Sequence, residues 1–194
     1  MAQENAVYSY TARRIAQLST GSGGQKGALA ELRRGVGKTP GEEPGLWGEF
    51  LLDLPEELYG NQGEPSWAEW AIYTALTLFA LHQQGRDPAK DSVSVQDQGL
   101  GKAAASLIRN EDDRQRILRR FQMIVTSGSV QELSYHLRGL VQLLKAGGIG
   151  MDYPALAKDL YYWQNPARTN RVKLKWGQDF YGGFRVPSTK EEEP

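Results

Sequence analysis

Gly35-Val36-Gly37-Lys38-Thr39 comes nearest, by residue type, to a catalytic motif. It ends like a phosphate-binding loop, in which glycine amides cradle phosphates and a lysine reaches the terminal ones. The full pattern needs a glycine five residues before Gly37, and Leu32 stands there. It also needs a strand before it and a helix after it. Here a helical stretch precedes and Pro40-Gly41 follows. The segment therefore reads as a basic loop, where Lys38, with Arg33 and Arg34, can meet a polyanion. The two histidines leave general acid–base chemistry short of candidates. His82 falls on the inward side of an apolar helix, the place of a hydrogen-bonded core histidine. His136 lies beside a leucine stripe with no partner in sequence. Two histidines without a cysteine do not make a zinc site. Glu42-Glu43 and Glu56-Glu57 sit in proline-rich segments as solvated acids, and Ser127-Gly128-Ser129 is a turn and cap. No catalytic constellation emerges, and neither a cofactor nor a metal is implied.

The arginines are the remaining chemistry. From Asn110 to Val125 the sequence NEDDRQRILRRFQMIV places Ile117, Phe121, Ile124 and Val125 on one helical face. Arg116, Arg119 and Arg120 project from roughly the opposite face. Asp112 and Asp113 can pair with Arg116 one turn on. Nothing in that helix answers Arg119 or Arg120, and Arg114 lies close to Glu111 near the apolar side. Arg138 and Lys145, seven residues apart, share a stripe that flanks Leu133, Leu137, Leu140, Val141 and Leu144. A further cluster, Arg168, Arg171, Lys173 and Lys175, is partly compensated by Asp179. Guanidinium forks match phosphate oxygens, and neutralising phosphates releases counterions. Arginines on plain helices, with no recognition-helix motif, suit contact with a nucleic-acid backbone rather than base reading.

The charge distribution supports a local basic face on a neutral chain. The 194 residues carry 23 basic and 23 acidic side chains. Residues 1–98 hold 8 basic and 13 acidic groups, whereas residues 99–146 hold 8 and 4. Charge separated in this way creates a field that the net charge conceals. The absence of cysteine excludes disulfides and thiolate metal sites. The polar N-terminus is unlike a signal peptide, and the most apolar stretch, Trp67 to Leu81, is too short for a membrane span and contains Glu69. The expectation is a soluble, cytoplasmic protein.

The elements that position these residues are helices. Residues 3–19 predict a helix with Val7, Thr11, Ile15 and Leu18 on one face. Thr20 to Gly27 reads as a glycine-rich loop, and Ala28 to Arg34 as a short helix. A helical piece spans Trp47 to Leu52. Ser66-Trp67-Ala68-Glu69 is a capping box opening a long, buried helix that ends at Gly85. Arg86 to Gln98 reads as a loop. Gly99-Leu100-Gly101 opens a small-residue helix, and Asn110 caps the arginine helix. Ser129-Val130-Gln131-Glu132 is a second capping box, for a helix that stops at Gly147-Gly148. Asp152-Tyr153-Pro154 starts the next, with Leu156, Leu160 and Trp163 inward. Asn165-Pro166 breaks it and caps the last, where Val172, Trp176 and Phe180 repeat every fourth residue. No run of alternation bounded by hairpin turns occurs. The fold class is all-α, a helical bundle. An N-terminal helical subdomain with long loops (1–98) meets a C-terminal bundle (99–186) at the GLG turn, and 187–194 reads as an acidic disordered tail.

Three stretches together resemble one family: LFALHQQG (Leu78 to Gly85), GLGKAAASL (Gly99 to Leu107), and LVQLLKAGGIGMDYPALAKDLYYWQNP…RVKLKWGQDFY (Leu140 to Tyr181). Their order and spacing are similar to CasB, the small subunit of the type I-E CRISPR Cascade complex. The resemblance implies an all-helical, non-enzymatic protein with two small subdomains. It implies assembly as a pair of copies with other Cascade subunits, around CRISPR RNA and target DNA. The basic faces would then contact the R-loop, notably the displaced strand, with no membrane and no small-molecule substrate involved. By position, the family's basic surface falls on Arg33, Arg34, Lys102, Arg116, Arg119, Arg120 and Arg138. A second basic residue often follows the last of these in the family, and Gly139 stands there instead. A competing reading is a helical adaptor whose basic faces answer acidic partner subunits. An enzyme has only the broken GVGKT behind it.

Overall fold

The computed structural model describes residues 2–183. Among these, nine α-helices follow in order: α1 (Ala2–Leu18), α2 (Gly23–Arg34), α3 (Trp47–Phe50), α4 (Trp67–Gln83), α5 (Leu100–Ala105), α6 (Glu111–Thr126), α7 (Val130–Gly147), α8 (Tyr153–Trp163) and α9 (Thr169–Gly182). Short 3₁₀ turns at Pro44–Leu46 and Glu56–Leu58 lie between α2 and α4. The described residues form no β-strand, only two isolated bridges, Asn61 with Glu64 and Ser94 with Met151. The expected tail at 187–194 lies outside the described residues.

The helix starts are set by side-chain caps. Ser66 accepts from the Glu69 amide, and Glu69 Oε2 accepts from the Ser66 amide at 2.6 Å, completing the box. Asn110 caps α6 through the Asp113 amide, and Asp152 caps α8 through Ala155. At α7 the box slips by one residue: Ser129 accepts from Glu132, but Glu132 reaches the Gly128 amide instead. Each satisfies amides that the first helical turn leaves unpaired.

Two expectations change. Helix α2 begins at Gly23, inside the stretch expected to be a loop. A Cβ at glycines 23, 24 or 27 would meet no neighbouring atom, so their packing does not require glycine there. Helix α9 is not capped by Asn165, whose side chain instead accepts from the Ala167 amide in a turn, and Arg168 occupies the N-cap without a side-chain bond.

Helix α4 is the centre. It packs against α1, α2, α3, α7 and α8. Ile72, Ala75, Leu76, Phe79 and Ala80 are fully buried, as an all-round apolar helix requires. Trp67 at its first turn is the exception, 44% exposed. At the other end, buried His82 is hydrogen-bonded through Nδ1 to the Tyr153 hydroxyl of α8 at 2.9 Å. Helices α5 and α9 pack closely because Gly101 lets their backbones meet. A Cβ at Gly101 would overlap the Trp176 carbonyl and lie 2.8 Å from the Phe180 amide. Phe180 in turn stacks on Phe121 of α6 at 4.2 Å between ring centres. The chain division expected at residue 98 falls in the loop before α5, and α4 packs across it on α7 and α8.

Candidate nucleic-acid interface

Helix α7 organises the basic residues. Its apolar stripe, Leu133, Leu137, Leu140, Val141 and Leu144, is fully buried. That burial leaves Gln131, Tyr135, Arg138 and Gln142 exposed, with half-buried Lys145 on the flank. Arg138 is exposed, and its Nη1 lies 4.0 Å from the place a Cβ would take on Gly37, in the turn after α2. Lys145 donates to Gln84 Oε1 at 2.9 Å, at the end of α4. Partial burial lowers the Lys145 pKa, and the neighbouring charges of Arg33 and Arg86 lower it further. Arg86 Nη2 also approaches Gly148, 3.7 Å from its would-be Cβ. Thus Arg33 from α2 and Arg138 and Lys145 from α7 form one basic ridge, with Arg86 from the turn after α4 beside them but paired with Asp91 at 3.0 Å.

Helix α6 adds to this ridge from the other flank. The Arg120 guanidinium crosses to α7 and lies against Gly139, where a Cβ would overlap its Nη1. The sequence leaves position 139 without the second basic residue expected there. The structure fills the same place with an arginine from the neighbouring helix, and the missing side chain at 139 makes the room. Arg119, the preceding residue of α6, is exposed. Among the described residues no carboxylate pairs with Arg33, Arg119, Arg120 or Arg138.

The other expected site residues are placed differently. Arg34 pairs with Glu31 at 2.9 Å. Arg116 pairs with Asp113 at 2.6 Å, as its spacing predicts. The Lys38 ammonium is bonded to Glu43, so the basic loop expected around GVGKT is internally answered. A helix precedes that loop and Gly35 ends it, its carbonyl accepting from Tyr73. Lys102 stands apart on α5, donating to the Asp97 carbonyl at 3.1 Å and lining a hollow beside Gln178 and Asp179 of α9. Lys175 pairs with buried Asp159 at 2.7 Å, an acid outside the cluster that the sequence offered to balance it. Asp159 also accepts from Trp176 Nε1, and its burial raises its pKa. His136 has Glu132 at 3.7 Å, a partner four residues back that the sequence reading did not assign.

Two basic residues, Arg86 and Lys158, escaped the sequence reading. Arg86 sits in a stretch read as polar loop, just after Gly85, whose φ of 89° turns the chain out of α4. A second basic region lines a cleft of about 690 Å³ between α8 and α9, with Lys158, Arg168 and Arg171 around Tyr8 and Tyr162. Lys158 comes from the helix before the cluster, so a scan of one segment does not join it to the arginines. Among the described residues no group of three His, Asp or Glu could hold a metal ion, and no helix is long and apolar enough to cross a membrane.

The chain is similar to known proteins over most of its length. The family model for CRISPR-associated protein Cse2 matches residues 28–181. The chain belongs to the Cse2 family. The crystal structure of CasB from Thermobifida fusca is similar over 91% of this chain and 98% of that one, with a TM-score of 0.75 and 29% identity. The crystal structure of M. ruber CasB is similar over 89% of this chain and 93% of that one, with a TM-score of 0.62 and 23% identity, a likeness of fold. No curated protein matches the chain in sequence. The resemblance drawn from LFALHQQG, GLGKAAASL and the C-terminal block therefore holds for this Cse2 member, as does the all-α fold class.

Proposed function

We propose that this Cse2 protein is a non-catalytic small subunit of Cascade and holds nucleic-acid backbone along the α7 ridge without regard to sequence. In that role it stabilises the guide RNA–target DNA R-loop and the displaced strand, in the cytoplasm, beside other Cascade subunits and a second copy of itself. The carrying observation is that Arg33, Arg119, Arg120 and Arg138 lack carboxylate partners among the described residues of a chain with balanced charge. Exchanging one duplex for a hybrid is nearly balanced, so a few added backbone contacts decide the outcome. Lys145 extends the ridge. Arg34, Lys38 and Arg116, each already paired, contribute less, and Lys102 serves a separate point on the surface. On this reading the loop ending at residue 98 separates an N-terminal subdomain from the C-terminal bundle.

The test is the double variant Arg119→Ala/Arg120→Ala, assembled into Cascade. Neither side chain is part of the apolar core, so folding is expected to be intact. R-loop formation should weaken alike on all targets. A lost fold, or a loss confined to certain sequences, would show that backbone contact is the wrong account.

A further inference from the structure

Tyr135 is the most exposed of the large apolar or aromatic side chains among the described residues, 70% accessible. It lies on the outward side of α7 with Gln131, Arg138 and Gln142, and the exposed acid three residues back, Glu132, is turned to the Gly128 amide and His136. On a helix, neighbours three and four positions apart stand about 5–6 Å from one another. Arg138 is three residues on, and Gly139, which carries the Arg120 guanidinium, is four residues on. An aromatic ring thus stands in solvent with two unpaired guanidiniums one turn away. The ring meets His136 edge-on, at 5.4 Å and 70°. It takes no part in the core, where the other α7 residues of large apolar type are found.

We infer that Tyr135 is a stacking platform for an unpaired nucleobase, so that the α7 ridge selects single-stranded over base-paired nucleic acid. This rests on the polyanion reading above and adds the class of ligand. Arg120 and Arg138 hold the phosphates on either side of one nucleotide, while its base lies on the tyrosine ring. Every base has a π-face, so the contact adds affinity without sequence preference. A base inside a duplex is already stacked on both sides and cannot be offered to the ring. The ridge then discriminates strand state, which arginines alone do not.

The experiment compares two labelled single strands of equal length, oligothymidine and a wholly abasic strand, bound by the full chain at low salt. Fluorescence anisotropy reads both affinities. The thymidine strand should bind about tenfold more tightly than the abasic one. Tyr135→Ala should remove that difference and leave abasic binding unchanged, whereas Tyr135→Phe should keep it. Equal binding of the two strands by the unmodified protein overturns the inference while leaving the polyanion reading intact. So does a Tyr135→Ala variant that weakens both strands equally. Failure of either strand to bind at low salt overturns the polyanion reading and this inference with it.

Discussion

Gly139→Ala should raise stability and lower nucleic-acid affinity in the same molecule. Gly139 lies inside α7, where glycine costs about 1 kcal/mol relative to alanine. The atom that a new methyl group would meet is Arg120 Nη1, the end of a flexible side chain, with its Cζ next at 3.5 Å. The arginine can swing away without disturbing the α6–α7 core, so most of the propensity gain survives. For a chain of this size that gain raises Tm by roughly 2–4 °C. Swinging away removes one guanidinium from the ridge. Each phosphate contact adds about 0.7 to the slope of log affinity against log salt for a single strand, so losing one costs about fivefold at 0.1 M relative to 1 M salt. Thermal denaturation and anisotropy titration on the same preparation measure both. In an Arg120→Ala background, Gly139→Ala should keep its stabilising effect and have no further effect on binding, because contacting residues are coupled. A fall in Tm would mean that the space over Gly139 is rigidly packed. Unchanged affinity would mean that Arg120 does not touch the strand.

Three further outcomes follow from the geometry. Gly101→Ala should destabilise by about 2–3 kcal/mol, since its Cβ meets α9 backbone that cannot yield without separating buried Leu100 and Trp176; a Tm unchanged in thermal unfolding would contradict that close approach. His82 has its pKa lowered from 6.5 to about 4, first by burial and then by Arg86 and Lys145, and its Nε2 has no partner among the described residues. The depressed value means that its contribution is complete above pH 6.5 and is lost as pH falls toward 4, roughly 3 kcal/mol in all; His82→Asn should flatten the dependence of Tm on pH in that window. Lys38→Ala should change strand affinity less than about twofold, because Glu43 already answers that charge, while Arg138→Ala should cost about fivefold in the same titration.

The local signals that could be read from sequence were those that close within a few residues. Caps at Ser66, Asn110 and Asp152 are such signals, and so is the Leu133 stripe, because a side chain and an amide three residues on are already adjacent in the chain. Resemblance carried the family. Glycine proved ambiguous: Gly23 and Gly24 lie in a helix, while Gly101 and Gly139 are places where another element closes in. Nothing local separates these cases. The basic ridge was half legible. Arg119, Arg120 and Arg138 stand out because no acid lies one turn away. That Arg33 and Arg86 join Lys145 depends on how α2 and α4 pack, and that Glu43 captures Lys38 depends on a turn between them. The partner of Lys175 was not legible for the same reason: Asp159 comes from the preceding helix, α8, sixteen residues away.

The central claim is that unpaired guanidiniums on the α7 ridge bind backbone phosphates. The most direct measurement is the salt dependence of binding of the full chain to a labelled oligothymidine. Four engaged cations, Arg33, Arg119, Arg120 and Arg138, predict a slope of log affinity against log salt near −3, at about −0.7 for each. Affinity that stays flat as salt rises, or binding that is absent even at low salt, would contradict the account.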